Sequence, residues 1–110
     1  MCVFCQIVNK QIPAQIVYED DNYLAFNDIH PKAPIHILII PKKHLESFHL
    51  VKEPQDRELV KGLFDVAWKI IAQQGLPGCQ LHMNSGYDHW QEVPHIHLHL
   101  LSRGKTPVSW

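Results

Sequence analysis

The chain has 110 residues, of which 45% are hydrophobic and 19% are charged. This length and balance are those of one globular domain with its own core, so we expect a single domain over residues 1–110 and exclude a two-domain enzyme. Ten basic and eleven acidic side chains leave a net charge of −1, which excludes the broad positive surface that binds nucleic-acid polymers or anionic membranes.

The first half of the chain predicts one short helix and three strands. Residues 4–8 form the expected helix. Ile16–Glu19 and Tyr23–Asn27 are β-prone runs separated by an Asp-Asp-Asn turn sequence, so we expect them to pair as an antiparallel hairpin. The apolar run 35–40, which is bounded by prolines, predicts the third strand.

The second half predicts one long helix and two strands. Pro54 suits a first helical turn, apolar residues recur at three- and four-residue spacing as far as Ile71, and Gly75 can end the helix. Residues 79–84 and 95–100 alternate in polarity, which is the period of half-buried strands. Together these elements predict an α+β fold, in which a five-stranded antiparallel sheet carries the long helix across one face.

Cysteine usage and hydropathy predict a soluble protein of a reducing compartment. The longest apolar run, residues 34–41, is far shorter than the ~20 residues that cross a bilayer, and no secretory signal is visible. Three cysteines, an odd number, favour metal ligands or buried thiols over a disulfide. We therefore expect a cytoplasmic protein.

Nine residues are histidines, and three of them alternate with apolar residues at positions 95, 97 and 99. On a strand these imidazoles would project from one face, roughly 6.5–7 Å apart. A neutral imidazole is a competent nucleophile or base near pH 7. Two chemistries are therefore open, namely a catalytic metal held by His95 and His97 with a third ligand such as Glu92, or covalent attack by one histidine on an electrophile.

The pattern His-φ-His-φ-His-φ-φ over residues 95–101, where φ is apolar, resembles the signature of the histidine triad (HIT) superfamily of nucleotide hydrolases and transferases. Further blocks resemble the Hint branch of that superfamily and occupy residues 12–14, 18–20, 25–29, 33–34, 36, 39–44, 84–86 and 91–93. The resemblance covers residues 2–104. It implies a five-stranded antiparallel sheet with one long and one short helix, and a homodimer.

The resemblance also implies a covalent mechanism. The middle histidine, His97, would attack the α-phosphorus of a purine nucleoside 5′-phosphoramidate carrying an AMP or GMP moiety, and water would hydrolyse the resulting nucleotidyl-histidine. His99 would hydrogen-bond the phosphate or the bridging atom. The carbonyl of His95 would hold the tautomer of His97, and His36 would lie behind the triad.

The nucleotide contacts are implied in the same way. Asp28 would accept hydrogen bonds from the ribose hydroxyls. The apolar base pocket would comprise Phe4, Ile7, Ile12, Phe26 and Ile29, and the phosphate loop would comprise Asn84, Gln91 and the amides of Glu92 and Val93. Without the resemblance, Asp28 is more simply a turn or cap carboxylate, and the apolar set is equally well ordinary core.

A second constellation is the pair Cys2 and Cys5, which has the C-x-x-C spacing of a zinc knuckle. The resemblance implies that His44 and His95 complete a closed site, which would make the zinc ion structural and pin the N-terminal segment. The alternative is two unrelated thiols. Cys79 fits neither site, so we expect it to be a buried strand thiol.

The sequence departs from the resembled family around the phosphate loop. His89 and Trp90 stand where small residues are usual, and Glu92 stands where many relatives have a hydroxyl that can serve the leaving group. Trp110 could help to select the leaving group. The remaining histidines are assigned to surface or strand faces: His30, His49, His82 and His89.

Three other functions stay open at this point. Within the family, the alternative is a Fhit-like dinucleoside polyphosphate hydrolase. From other classes, the alternatives are a zinc hydrolase that uses His95 and His97, and a nucleotide-binding module with little turnover.

Overall fold

The structure, a computed structural model, describes residues 2–104. These residues form two α-helices, α1 (Val3–Val8) and α2 (Pro54–Gln74), and five strands: β1 (Ile16–Glu19), β2 (Tyr23–Asn27), β3 (Ile35–Pro41), β4 (Gln80–His82) and β5 (Leu98–Ser102). The strands make one antiparallel sheet in the order β1-β2-β3-β5-β4. This confirms the predicted fold class. Trp110 lies outside the described residues.

Helix α2 packs on one face of the sheet. It begins at Pro54, where a missing N–H costs nothing, and ends at Gly75, whose φ of 60° lies in the left-handed region and whose N–H donates to the carbonyl of Ile71. Its buried side chains share a core with alternate residues of the central strands. The helix contributes Val60, Leu63, Val66, Ala67 and Ile70 to this core, and the strands contribute Ala25, Ile37, Ile39, Leu98 and Leu100.

Helix α1 covers the opposite face of β2 and β3. Phe4 and Ile7 of the helix form a second buried cluster with the residues of these strands that point away from α2, namely Leu24, Phe26, Leu38 and Ile40. The middle of the sheet is therefore buried on both faces, which explains why 35–40 is almost continuously apolar.

Strand β4 is shorter and more exposed than the predicted strand over 79–84. It covers only Gln80–His82 and lies at one edge of the sheet, as β1 does at the other. Cys79 lies just outside it and is exposed, so the assignment of this residue as a buried strand thiol was wrong. The alternating sequence pattern does not reveal whether a strand is covered on its apolar side.

The last strand also starts later than predicted. Strand β5 begins at Leu98 rather than at residue 95, because the preceding segment is held by turns and a neighbouring loop. The amide of His95 donates to the carbonyl of Val93 (2.8 Å) and that of Ile96 to the carbonyl of Leu45 (2.8 Å). His95 and His97 therefore lie before the strand and only His99 lies on it, so the three imidazoles do not form the predicted single row on one strand.

A search of the described residues finds no helix with both the length and the apolar character needed to span a membrane.

The contact between α2 and β2 leads to a first prediction. The hydroxyl of Tyr23 donates to the carbonyl of Leu59 (2.7 Å), and a Cβ atom at Gly62 would overlap that hydroxyl. Gly62→Ala should therefore lower the free energy of unfolding by about 1–3 kcal/mol through overpacking, although alanine alone favours a helix by about 1 kcal/mol. Urea denaturation measures the difference.

Two further variants serve as controls for this prediction. Gly78→Ala should be close to neutral, since nothing lies within 4 Å of its added Cβ. In a Tyr23→Phe background the penalty of Gly62→Ala should shrink, because the overlapping hydroxyl is gone. Equal penalties in both backgrounds would show that this overlap is not the cause.

Candidate active site and metal centre

His97 is buried immediately before β5, and the backbone fixes its tautomer. Its Nδ1 lies 2.7 Å from the carbonyl oxygen of His95. Because a carbonyl can only accept, Nδ1 carries the proton and the lone pair of the neutral ring is on Nε2. The ring of Phe4 packs edge-on against the imidazole, with centroids 5.1 Å apart. The arrangement leaves an unprotonated, oriented Nε2, which is what a histidine nucleophile requires.

His36 of β3 and His99 of β5 lie on adjacent strands and form a second fixed pair. The backbone N–H of Lys32 donates to His36 Nδ1 (3.1 Å), and His36 Nε2 lies 3.0 Å from His99 Nδ1. Since Nδ1 of His36 accepts, its neutral ring carries the proton on Nε2 and donates it to His99. His99 then carries its own proton on Nε2, which can donate to a bound group.

Burial keeps these imidazoles neutral. Desolvation is the largest cause that lowers the pKa of His36, His97 and His99. For His99, burial together with the charges of neighbouring histidines lowers the pKa to about 3. Asp28 acts in the opposite direction on all three rings, but its effect is smaller than that of burial. The cluster is therefore uncharged at neutral pH.

Asp28 lies at the edge of this histidine cluster. Its Oδ2 is 3.5 Å from His36 Nε2, and its Oδ1 accepts from the backbone N–H of His30 (2.9 Å). Donor atoms of Asp28, His36 and His99 lie within 4.8 Å of one another. A metal ion here would need the lone pair of His99 Nδ1 and the position of the proton on His36 Nε2, which the two rings already use for each other. The geometry therefore favours a hydrogen-bonded cluster over a metal site.

Four of the five residues expected in the base pocket lie together. Phe4 and Phe26 meet edge-on with centroids 5.4 Å apart, Ile7 joins them in the cluster, and Ile12 packs against it. Ile7 and Ile12 also line an open cavity of about 410 Å³. Ile29 is 84% exposed and is not part of the cluster.

The side chain of Gln91 holds the predicted phosphate loop together. Its Oε1 accepts from the hydroxyl of Ser47 (2.6 Å) and the amide of Gly86 (2.8 Å). Its Nε2 donates to the carbonyls of Glu46 (2.7 Å) and Val93 (2.9 Å). All the usual hydrogen-bonding positions of this amide are thus occupied inside the chain. The geometry gives Gln91 a role in shaping the loop, with no donor left for a phosphate.

The rest of the loop is more open. Asn84 Nδ2 donates to the carbonyl of Trp90 (3.2 Å). Trp90 adopts a φ of 69°, in the left-handed region that favours glycine, and its side chain is exposed. This is where the resembled family usually has a small residue, so the loop keeps this backbone conformation despite the indole. Glu92 is exposed, and Val93 packs against the cluster around Phe4.

Cys2, Cys5, His44 and His95 converge at the start of α1. The Cys2 and Cys5 sulfurs are 3.2 Å apart, and Nδ1 of His44 and of His95 lies 3.2–3.6 Å from each sulfur. Four ligands at tetrahedral zinc distances would be separated by about 3.3–3.8 Å. His95 Nε2 donates to the carbonyl of Pro41 (2.8 Å), so its lone pair on Nδ1 points into the cluster. The donor types and the outer hydrogen bond fit a zinc ion, and the donor separations are close to those of a tetrahedral site, with the two sulfurs nearer to each other than zinc would hold them.

One further histidine lies beside His99, and the sequence does not reveal its position. His82, assigned from the sequence to a strand or surface face, pairs with His99 across β4 and β5, and the two rings are stacked with centroids 4.3 Å apart. The polarity pattern of 79–84 places His82 on a strand, but the register that sets it beside His99 depends on residues far apart in sequence.

Comparison with known proteins gives consistent matches over nearly the whole chain. A family model described as "Scavenger mRNA decapping enzyme C-term binding" matches residues 1–108. A 14 kDa zinc-binding protein of Zea mays is 43% identical over 110 residues, which cover 98% of this chain and 84% of that protein.

Solved structures match as well. A histidine triad protein from Clostridium difficile has a TM-score of 0.88 at 41% identity, covering 99% of this chain and 96% of that one. A HIT family hydrolase from Legionella pneumophila has a TM-score of 0.86 at 45% identity, covering 100% of this chain and 97% of that one.

The lowered pKa values predict a loss of stability in mild acid. The pKa of His99 is about 3 in the folded chain and about 6.5 in an unfolded one. Below about pH 6.5 the unfolded chain therefore takes up a proton that the folded chain does not, and His99 alone removes up to about 1.4 kcal/mol of stability per pH unit. Urea denaturation between about pH 7 and 5 measures this loss.

The matched variant is His99→Gln, which removes the titrating group. Its stability should fall less over the same interval, and at these pH values carboxylates contribute little to the difference. An equal loss in both proteins would contradict the assignment.

Proposed function

The chain belongs to the histidine triad (HIT) superfamily, and from this premise we propose that it is a nucleotide hydrolase that cleaves purine nucleoside 5′-phosphoramidates through His97. The observation that supports this most strongly is the hydrogen bond from His97 Nδ1 to the carbonyl of His95 (2.7 Å). It leaves the lone pair on Nε2 of a buried, neutral ring. Solved HIT family hydrolases with the same fold support hydrolysis as the class of reaction.

In the first step of this mechanism, His97 Nε2 attacks the α-phosphorus, the P–N bond breaks, and the amine departs. The ring then carries a positive charge, and the carbonyl of His95 accepts its Nδ1–H and stabilises that charge. His99 donates its Nε2–H to the bridging nitrogen and gives it the proton with which the amine departs.

In the second step, water attacks the phosphorus and His97 Nε2 leaves as the neutral ring. The hydroxyl of the water remains on phosphorus and its proton returns to His99 Nε2, which replaces the proton that the amine carried away. The imidazole is regenerated, and no external cofactor is consumed.

The other predicted contacts complete the proposal. Asp28 binds the ribose hydroxyls through the oxygen that its turn leaves available, and the cluster of Phe4, Ile7, Ile12 and Phe26 accommodates the purine. The exposed Ile29 would have to close over the base from outside. Phosphate oxygens are held by Asn84 and the loop amides of residues 92–93, while Gln91 shapes that loop.

We further propose that Cys2, Cys5, His44 and His95 hold a structural zinc ion, which the zinc-binding relative also supports. Zinc would cross-link the N-terminal segment to the loops that carry His44 and His95. This geometry argues against the zinc-hydrolase alternative. Both ring nitrogens of His95 are engaged, one facing the cysteines and the other on Pro41, so His95 has no nitrogen left to share a catalytic ion with His97.

A homodimer and a cytoplasmic location are also part of the proposal. Phe64 and Trp68 are separated by one turn of α2 and leave 43% and 68% of their surface exposed, while Leu81 is exposed on the edge strand β4. Exposed aromatic residues and an open sheet edge are typical of surfaces that pair with a second copy. With a net charge of −1, we propose no nucleic-acid polymer or membrane as partner.

The decisive prediction is a covalent AMP adduct on His97. Protein mixed with adenosine 5′-phosphoramidate and quenched in acid should gain the mass of one adenylyl group, and peptide mass spectrometry should locate it on His97. His97→Ala should lose the adduct and at least about 10³-fold in kcat, as expected for removal of a nucleophile.

His30→Ala is the matched control, because His30 is exposed and only its backbone amide contacts the site. An adduct on lysine, or one that persists in His97→Ala, would rule out the proposed mechanism. AMP binding without turnover of any phosphoramidate would favour the nucleotide-binding module, and faster turnover of dinucleoside polyphosphates would favour the Fhit-like alternative.

The zinc proposal predicts one metal ion per chain by elemental analysis. Cys2→Ser and Cys5→Ser should lose the ion and lower the free energy of unfolding by about 3 kcal/mol or more. A folded chelated sample should still form the AMP adduct, because no chemical step uses the ion. Cys79→Ser, which changes the exposed third thiol, should keep both metal and stability. Full metal content in Cys2→Ser would contradict the assignment.

A further inference from the structure

Of the rings that contact His99 in the cluster of His36, His97 and His99, the ring of His82 is the most nearly parallel to it. His82 lies opposite His99 in the pairing of β4 with β5. Their rings are nearly parallel, with an interplanar angle of 10° and centroids 4.3 Å apart. The other two imidazoles that contact His99 are inclined to it, His36 by 42° and His97 by 63°. His82 therefore stacks on one face of the His99 ring.

The ring of His82 stacks on His99 at a cost to the stability of the fold. Nδ1 of His82 is buried and has no hydrogen-bond partner among the described residues. A buried nitrogen without a partner costs free energy that an apolar side chain of similar shape would not. A phenyl ring would give the same stacking contact without this cost.

His99 needs the constraint that stacking supplies. Its hydrogen bond to His36 (3.0 Å) fixes one ring nitrogen in space but leaves the ring free to tilt about that point. A flat neighbour at van der Waals distance removes this freedom, because tilting would break the contact. The hydrogen bond at Nδ1 and the plane of the His82 ring together determine the direction of the opposite nitrogen, Nε2.

We propose that His82 is a positioning residue of the reaction centre, which stacks on His99 and holds its Nε2–H toward the group transferred to His97. The proposal rests on the phosphoramidase function proposed above. Burial and then the neighbouring His97, His82 and His36 lower the pKa of His99, and Asp28 raises it, so the stacked ring is neutral at neutral pH.

Two substitutions separate stacking from mere filling of space. His82→Leu keeps an apolar side chain but removes the flat ring, and His82→Phe restores the ring without its nitrogens. We expect kcat to fall about tenfold or more in His82→Leu with KM within about threefold of the original, as expected for an interaction made in the transition state. His82→Phe should recover most of that loss.

A second measurement reports on the His99 ring directly. Nitrogen-15 and carbon-13 NMR relaxation of the histidine rings measures how freely the His99 ring tilts in the protein without substrate. The ring should be rigid in the original protein and in His82→Phe, and its order parameter should fall in His82→Leu, while the hydrogen bond from His36 still sets its tautomer. A role limited to folding would leave this order parameter unchanged in a folded variant.

Gln80→Ala is the matched control, because Gln80 lies exposed on the same strand and the same face as His82 but pairs with Leu101 rather than with His99. It should leave kcat and the order parameter of the His99 ring unchanged. If leucine prevents folding, His82→Val, which is β-branched and suits a strand, takes its place in the comparison.

The outcomes separate this proposal from the function that it assumes. An unchanged order parameter of the His99 ring in folded His82→Leu, or a kcat in His82→Phe as low as in His82→Leu, would overturn the positioning role. Failure to form any AMP adduct in the original protein would instead overturn the proposed function, while the NMR comparison would still decide whether His82 orders His99.

Discussion

The hydrogen bond between His97 Nδ1 and the carbonyl of His95 connects the candidate active site to the cysteine cluster and the central strand. His95 is fully buried, and three of its groups act at once. Its Nδ1 faces the two cysteines at the start of α1, its Nε2 donates to the end of β3 at Pro41, and its carbonyl accepts from His97. A single residue, His95, therefore fixes the positions of the N-terminal helix, the central strand and the His97 ring relative to one another. A shift of any one of them would be transmitted to the orientation of the imidazole.

The chain brings many imidazoles together without accumulating charge. Five imidazoles, those of His36, His82, His95, His97 and His99, lie near one another, and burial favours the neutral form of the four whose pKa is lowered. The same desolvation that costs stability in acid supplies unprotonated nitrogens at neutral pH. A nearly neutral protein with Asp28 and Glu92 as the carboxylates that act on the rings is well suited to this, since a cluster of lysines or arginines would add positive charge beside them.

Local patterns in the sequence predicted most of the fold and singled out most residues of the candidate site, and long-range contacts account for the rest. The ends of α2 follow from Pro54 and Gly75, because helix initiation and termination depend on single residues. The start of β5 does not, since the bond from Ile96 to Leu45 joins positions 51 residues apart. Likewise, no local signal shows that His82 stacks on His99, that Gln91 is used entirely inside its loop, or that Cys79 lies beyond an uncovered edge strand. Each of these depends on tertiary contacts that periodicity cannot encode.

Two series of hydrogen bonds hold His99 and His97, and they begin at backbone groups of opposite kind. The series through His36 to His99 starts at the amide of Lys32, which can only donate, and the bond to His97 starts at the carbonyl of His95, which can only accept. Hydrogen bonds consequently run in opposite directions along the two series. The series from Lys32 ends in a proton on His99 Nε2, and the series from His95 ends in a lone pair on His97 Nε2. Two side chains of identical chemistry, with ring centroids 4.9 Å apart, thus become an electron-pair donor and a proton donor solely through the polarity of the main chain behind them.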